Sequence, residues 1–422
     1  SKVKNLKVTS RTSSFFFKNK NIPITEISKE LNVSVVLEGS VRVAGNMIRI
    51  TAQLVDATED YHFWSENWDR KLENIFEIQD EISLLIAEKL REHFGHFEIQ
   101  EHLVEKQTNS LDAYEYSLKG KFHFNKWNPE DMRIAIDLYE KALELDPNHA
   151  ESCLGLADAL GFMATTGFLP MMETWQKVAD LTQKAKSLKE HLPGVHYQLA
   201  NLAFFNRADY TEAFVEGLRA VELQPNHAEA QQFISFLYII SGRAEQAGKH
   251  LDIAYSINPL SPETLFFSGF FHYMTRQFEE GLERLNGVLK QNPKNLPAFT
   301  IKCHCLLRMG RNDEVIRFIE NAPDDLLIES DKVGLLTIAY TKKGDQEQAK
   351  FYREKLEKLT GDENGFRASS FQFVLYAWTA DTQKAFRWIE DAIQSNAFLL
   401  LILFADPLLD PIKSDPRYQK HC

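Results

Sequence analysis

A proline recurs along this chain at Pro147, Pro193, Pro225, Pro259, Pro293 and Pro323, and the intervals 225 to 259 and 259 to 293 are each 34 residues. Proline has no amide hydrogen and clashes with the preceding turn, so it marks places where helices stop. A fixed period of this length is the length of one two-helix unit. A chain built of such units covers its apolar faces by stacking each unit on the next, which confines it to a solenoid.

The residues between the prolines keep the same register. Counting back from Pro259 gives Tyr238, Gly242, Ala247, Leu251 and Ala254; the same offsets from Pro225 give Phe204, Ala208, Ala213, Gly217 and Ala220. Ahead of Pro147 stand Ala135, Tyr139 and Ala142, and the pattern runs on without proline through Tyr340, Gly344, Ala349 and Leu356, then Tyr376, Ala380, Ala385, Ile389 and Ala392. Small residues at a helix crossing let two backbones approach, and a large residue a turn away fills the space beside them. This order of small residue, aromatic, glycine turn, alanine, large apolar residue, alanine and proline resembles the tetratricopeptide repeat family. The segments Pro147-Asn148-His149-Ala150-Glu151 and Pro225-Asn226-His227-Ala228-Glu229 are near copies of each other. The resemblance implies a mostly α chain: a right-handed superhelix of about eight helix pairs over residues 107–396, with a small amino-terminal α/β domain at 1–106 and a capping segment at 397–422.

Composition narrows the function classes. The chain has 422 residues and a net charge of −12, a poor basis for non-specific nucleic-acid binding, which needs clustered Lys and Arg. Residues 1–50 hold nine Lys and Arg against three Asp and Glu, and residues 51–110 hold five against fourteen. The simplest reading is two faces of one small domain. Four cysteines do not make a disulfide scaffold. Cys153 and Cys303 fall at first-helix packing positions, and Cys303-x-Cys305 is not zinc spacing on a helix, because residues two apart face different ways. A reducing, cytoplasmic compartment is expected, with the periplasm open if a membrane span lies upstream. The most apolar run, Phe398 to Phe404, is ended by Ala405-Asp406-Pro407, too short to span a bilayer. The chain begins without Met and in mid-pattern, so upstream material is expected.

In the first hundred residues, Leu6–Thr9 and Phe15–Phe17 read as short β-prone pieces, and Glu26–Leu31 as a short amphipathic helix. Val33–Val43 reads as a strand with Gly39 as a bulge, followed by a turn at Ala44-Gly45-Asn46. Ile48, Ile50, Ala52 and Leu54 alternate with polar residues, the mark of a strand with one wet face. Tyr61–Asp69 gives a third strand, with Trp64 and Trp68 on one face, and residues from Leu72 to about Phe94 a long helix striped by Ile75, Ile78, Ile82, Leu85, Ile86 and Leu90. Several ordered motifs here (Val8 to Ser14, Leu37-Glu-Gly-Ser-Val-Arg42, Arg49-Ile-Thr-Ala-Gln-Leu54, Trp64-Ser65, Asp69-Arg70, Ile75 to Glu81) resemble the TolB amino-terminal-like α/β domain. Such a domain precedes tetratricopeptide arrays in bacterial signalling proteins whose amino-terminal partner is a nucleotide cyclase, a winged-helix DNA-binding domain of the CadC type or a kinase. By that resemblance the first strand and helix are missing, and the incomplete sheet leaves an edge open to a homodimer contact.

Chemistry is not evident. There is no phosphate loop, no Gly-x-Ser-x-Gly and no His-Glu-x-x-His. His93, His96 and His102 lie near one another, but no carboxylate or cysteine evidently completes a metal site. No catalytic residue, metal or other cofactor is therefore expected. Binding remains. The stretch Gly161–Thr174 reads as an inserted, apolar loop that either packs over a neighbouring repeat or acts as a contact flap. By register, Phe236, Phe266, Phe270, Tyr273, His304 and Arg308 line a groove for a protein or peptide partner, an apolar surface with a basic edge; aromatics at helical spacing also suit plain packing between repeats. The Lys/Asn pattern of carboxylate-clamp repeats is not evident. The function expected is a non-catalytic regulatory segment relaying to an upstream cyclase or DNA-binding domain, with a free-standing scaffold of an envelope-associated complex as the alternative. No direct nucleic-acid contact and no membrane span are expected of this segment.

Overall fold

The computed structural model describes residues 6–71, 75–95, 99, 102–323, 325–360, 365–379, 381–394 and 399–419. Two short helices, α1 (Arg11–Phe15) and α2 (Ile24–Leu31), precede strands β1 (Val35–Ala44), β2 (Met47–Asp56) and β3 (Tyr61–Lys71), and α3 (Ile75–Phe94) follows. Eight helix pairs come next among the described residues: α4 (Leu111–Phe124) with α5 (Pro129–Leu145), α6 (Ala150–Thr165) with α7 (Met171–Leu188), α8 (Pro193–Asn201) with α9 (Tyr210–Leu223), and α10 (Ala228–Ile240) with α11 (Ala244–Ile257). Then α12 (Pro262–Met274) pairs with α13 (Phe278–Gln291), α14 (Leu296–Arg308) with α15 (Asn312–Glu320), α16 (Glu329–Lys343) with α17 (Gln346–Leu359), and α18 (Gly365–Trp378) with α19 (Thr382–Gln394). The chain ends in α20 (Leu399–Ala405), a 3₁₀ segment at Pro407–Ile412 and α21 (Pro416–Gln419). The protein is thus mostly α, a tetratricopeptide-type array with a small amino-terminal α/β part.

The helices start and stop for local reasons. Ser110, Asn128, Asp209, Asn295 and Asp345 cap helix amino termini by accepting a backbone N–H two or three residues on. Pro147, Pro225, Pro259, Pro293 and Pro323 each fall just beyond a helix end, as their spacing predicts. Pro193 differs: it is the first residue of α8, where its missing N–H would have had no helical partner.

The crossing positions carry the packing. Ala135, Ala142, Ala157, Ala213, Ala220, Ala247 and Ala254 have almost no solvent exposure. Gly155 shows how tight a crossing can be: a Cβ there would lie 2.4 Å from the Tyr139 ring. The aromatic that the repeat pattern requires occupies the volume that the glycine leaves.

The three strands form one antiparallel sheet in the order β1-β2-β3. Neither expected β-prone piece is a strand: Leu6–Thr9 has no regular structure, Phe15 ends α1, and Phe16 and Phe17 lie in the turn after it. Ser10 caps α1, and its own N–H bonds to the Ile257 carbonyl at 2.7 Å, a partner distant in sequence. Gly39 is not a bulge. It pairs in register with Ala52, and its lack of a side chain accommodates the Thr51 carbonyl, 2.6 Å from where a Cβ would stand; the irregularity lies at Leu54/Val55. The apolar face carries Ile48, Ala52, Leu54 and Trp68, all buried, while Leu37, Val41 and Val43 on β1 are exposed. The expected loop at 161–174 is largely helix. α6 runs on to Thr165 and α7 starts at Met171, so the 46-residue proline interval is filled by longer helices and one turn.

A contact then closes across the array. Trp127, in the turn between α4 and α5 with φ of +55°, lies against Phe162, Phe266 and Phe267 at ring distances of 5.4, 5.1 and 6.2 Å. Asn295 donates to the Trp127 carbonyl at 3.2 Å, Asn292 to the Lys126 carbonyl, and Lys294 pairs with Glu130 at 2.9 Å. The first helix pair therefore meets the turn before the sixth, and the inner face of the array is drawn in.

Gly155→Ala should lower the denaturation midpoint, with a cost of about 1–3 kcal/mol for forcing the Tyr139 ring aside. Trp127→Ala should enlarge the radius of gyration in solution scattering while leaving helix content by circular dichroism unchanged. An unaltered scattering curve would show that this contact does not set the curvature.

Candidate interaction groove

The first helices of successive pairs lie side by side, α10 beside α12 and α12 beside α14. Their inward residues make one connected row. Phe236 meets Phe270 at 5.9 Å, Phe266 meets Phe270 at 6.0 Å, Phe270 meets Tyr273 at 6.5 Å, and Tyr273 meets His304 at 5.8 Å. The Arg308 guanidinium stands 5.8 Å from the Phe278 ring centroid, one helical turn beyond His304. All six residues singled out from the sequence are thus brought onto one surface. Phe236, Phe270 and Tyr273 are buried, with Tyr273 at 0% exposure; Phe266, His304 and Arg308 are partly exposed.

The chain's own carboxy terminus adds to this burial. α20 packs on α10, and the 3₁₀ segment packs on α14 and α18. Tyr273 donates its hydroxyl to Asp406, whose carboxylate also accepts the Leu408 N–H at 2.7 Å. Arg276 grips Asp410 through two nitrogens at 3.0 and 2.6 Å, Arg308 reaches the same carboxylate at 3.1 Å, and Lys413 pairs with it at 3.1 Å. Trp378 donates its indole N–H to the Leu408 carbonyl. Burial alone would push the Asp410 carboxyl up, but the Arg276 hydrogen bonds and the Lys413 charge hold it below the usual range. Burial pushes the His304 imidazole down, against the pull of Asp406 and Asp331.

The sequence suggests a capping segment at 397–422. Its described residues pack on α18 and α19 of the last pair and also fold back over α10 and α14. Arg276 and Asp410 are the residues that the repeat register does not find. Arg276 sits in a turn after α12, at φ of +65°, outside any helical stripe. Asp410 stands in the Asp406-Pro-Leu-Leu-Asp410 motif, visible in the sequence but with no indication there of what it meets.

A second region of the inner face is acidic. Asp158 accepts from the Gln198 amide, and Glu229 and Glu263 stand on α10 and α12; all three are half-buried. Burial, reinforced by the neighbouring carboxylates, pushes Asp158 and Glu263 well above the ordinary range. At Glu229 burial works the same way, but His227 and Lys121 outweigh it and hold the carboxyl low.

The histidines near the end of α3 go separate ways. His93 approaches Asp56 at 3.2 Å and stacks on Phe63, whereas His102 meets Asp80 at 2.7 Å; His96 is outside the described residues. Among the described residues no three His, Cys, Asp or Glu side chains are placed to hold a metal ion, and no helix is long and apolar enough to cross a membrane. Cys153, Cys303 and Cys305 are buried; Cys422 is outside the described residues.

No family model matches the chain. It is similar to "Putative adenylate cyclase 3" of Rhizobium meliloti (strain 1021), 34% identical over 218 residues, which are 50% of this chain and 36% of that protein. It is also similar to the transcriptional regulator HilA of Salmonella typhimurium, 22% identical over 309 residues, 71% of this chain and 48% of that protein. The chain therefore spans between about a third and a half of the length of these curated relatives. Among solved structures, yeast Tom70 aligns with a TM-score of 0.39 at 18% identity, covering 80% of this chain and 74% of Tom70. A tetratricopeptide repeat protein from Parabacteroides merdae aligns at 0.38 and 16%, covering 59% and 93%.

The raised Glu263 carboxyl gives a signed expectation. A carboxyl whose folded pKa is raised destabilises the fold above that pKa, and the penalty vanishes as pH falls towards the unfolded value of about 4.3. Glu263→Gln should therefore raise the denaturation midpoint at pH 8 relative to the unmodified chain, with the gain shrinking at pH 5. An equal gain at both pH values would refute the burial of a charge at this position.

Proposed function

We propose that this chain is the non-catalytic regulatory segment of a bacterial signalling protein. It binds a protein or peptide partner through the groove of Phe236, Phe266, Phe270, Tyr273, His304 and Arg308, and relays occupancy to an output domain upstream. The observation that carries this reading is the connected aromatic row with a basic end on the inner face of the array, a surface that already holds a peptide segment. An extended or helical segment buries apolar side chains there while its carboxylates meet Arg276 and Arg308.

The similarity to a cyclase and to a transcriptional regulator supports a signalling context, and the short share of each relative that is matched leaves room for an output domain in a longer protein. The amino-terminal part, three antiparallel strands followed by α3, is in keeping with the TolB amino-terminal-like resemblance. Its exposed edge strand β1, with Leu37, Val41 and Val43 uncovered, is where a further strand or a second copy would pair.

The deciding experiment uses the native gene product with everything that precedes residue 1. Its output, cyclic-nucleotide formation or promoter occupancy, is compared with that of an Arg276→Ala/Arg308→Ala variant at equal expression. The relay predicts a change of at least about five-fold, the usual lower bound for coupling between sites. Unchanged output from a correctly folded variant, or a native product with no output domain, would leave a scaffold.

A further inference from the structure

The chain's own segment 400–412 lies against the aromatic row. Its anchors are specific. Asp406 takes the Tyr273 hydroxyl, Asp410 takes Arg276 and Arg308, and Leu408, Leu409 and Ile412 are buried between them. The segment does not satisfy every polar atom beneath it. The His304 Nδ1 stops 4.0 Å from the Asp406 carboxylate, and neither His304 ring nitrogen nor the Arg308 Nε has a hydrogen-bond partner, although all three atoms are buried. Buried polar atoms without partners are costly and therefore scarce in native interiors.

The seat is incomplete on its apolar side as well. From Leu400 to Ala405 the α20 helix has no polar residue on any face, yet Leu401, Ile402, Leu403, Phe404 and Ala405 are only partly buried. A helix apolar all round is normally enclosed on every side. Here Leu401 to Ala405 all touch the core, yet each keeps part of its surface exposed.

We infer that the groove is a receptor for an apolar protein segment ending in carboxylates, and that residues 400–412 are its resident, displaceable ligand. This rests on the partner-binding reading above and names the partner's chemistry. The competing segment supplies an apolar helix of about two turns, a carboxylate for Tyr273, and a second acidic group for Arg276 and Arg308. A further acceptor within reach of His304 and Arg308 Nε gives it contacts that the resident segment does not make. Displacement frees α20, whose apolar residues then become available to the upstream part of the protein or to the partner itself.

The test uses the full 422-residue chain and a fluorescent peptide of residues 399–413 carrying a polar solubility tag. Binding is compared between the unmodified chain and Asp406→Asn/Asp410→Asn, which loosens the resident segment. The double variant should bind the peptide about ten-fold more tightly, and adding Arg276→Ala/Arg308→Ala should remove that binding. Should the double variant not fold, hydrogen exchange on the unmodified chain decides: the amides of 400–409 should exchange about ten-fold faster than those of 265–273 in α12. Equal peptide binding by both chains, no binding by either, or exchange of 400–409 only together with α12 overturns the inference. None of these results bears on the relay, which is judged on the output of the native protein. Loss of the relay alone, with opening of the segment intact, would leave this inference standing.

Discussion

The structure depends on how closely neighbouring helices approach one another. Ala135, Ala142, Ala157, Ala213 and Ala254 are sealed at helix crossings, and Gly155 leaves the space that the Tyr139 ring occupies. Each such pair brings two backbones together and fixes the small rotation between one repeat and the next. Summed from the first pair to the sixth, those rotations bring the turn at Trp127 within reach of Phe266 and Asn295. The inner face is deep because the crossings are tight.

That depth explains the electrostatics. Side chains on the inner face are surrounded by helices even where some solvent reaches them. Asp158 and Glu263 are half-buried and still carry strongly raised carboxyls, because the protein on most sides displaces water and the carboxylates repel one another. At the other end of the same face, Arg276, Arg308 and Lys413 gather around Asp410. An apolar row between an acidic end and a basic end gives a bound segment a direction as well as a place.

The carboxy-terminal segment then does two things at once. It packs on α10 and α14, takes the Tyr273 hydroxyl and adds to the burial of the aromatic row. It also leaves the His304 ring nitrogens and the Arg308 Nε without hydrogen-bond partners. Packing on the row without satisfying every polar group is what a resident that can be exchanged requires, since a fully satisfied one would be harder to displace.

The sequence by itself determined the repeat. The 34-residue period, the helix-ending prolines and the small residues at crossings are local signals, because each records what one helix pair needs from its immediate neighbour. The three strands and α3 were legible for the same reason, from alternation and helical stripes. The register also picked out six residues, five of which the structure joins by ring contacts. The tertiary structure decided everything that joins residues far apart in the chain: Trp127 against Phe266, Ser10 on Ile257, Arg276 on Asp410. It overruled the β reading of Leu6–Thr9 and Phe15–Phe17, since the capping of α1 by Ser10 and its docking on a distant turn outweigh the β tendency of the three phenylalanines. It lengthened α6 and α7 where a loop was expected. Period and propensity report on neighbours within about one repeat; contacts across several repeats depend on the accumulated rotation of the array, which no single stretch of sequence encodes.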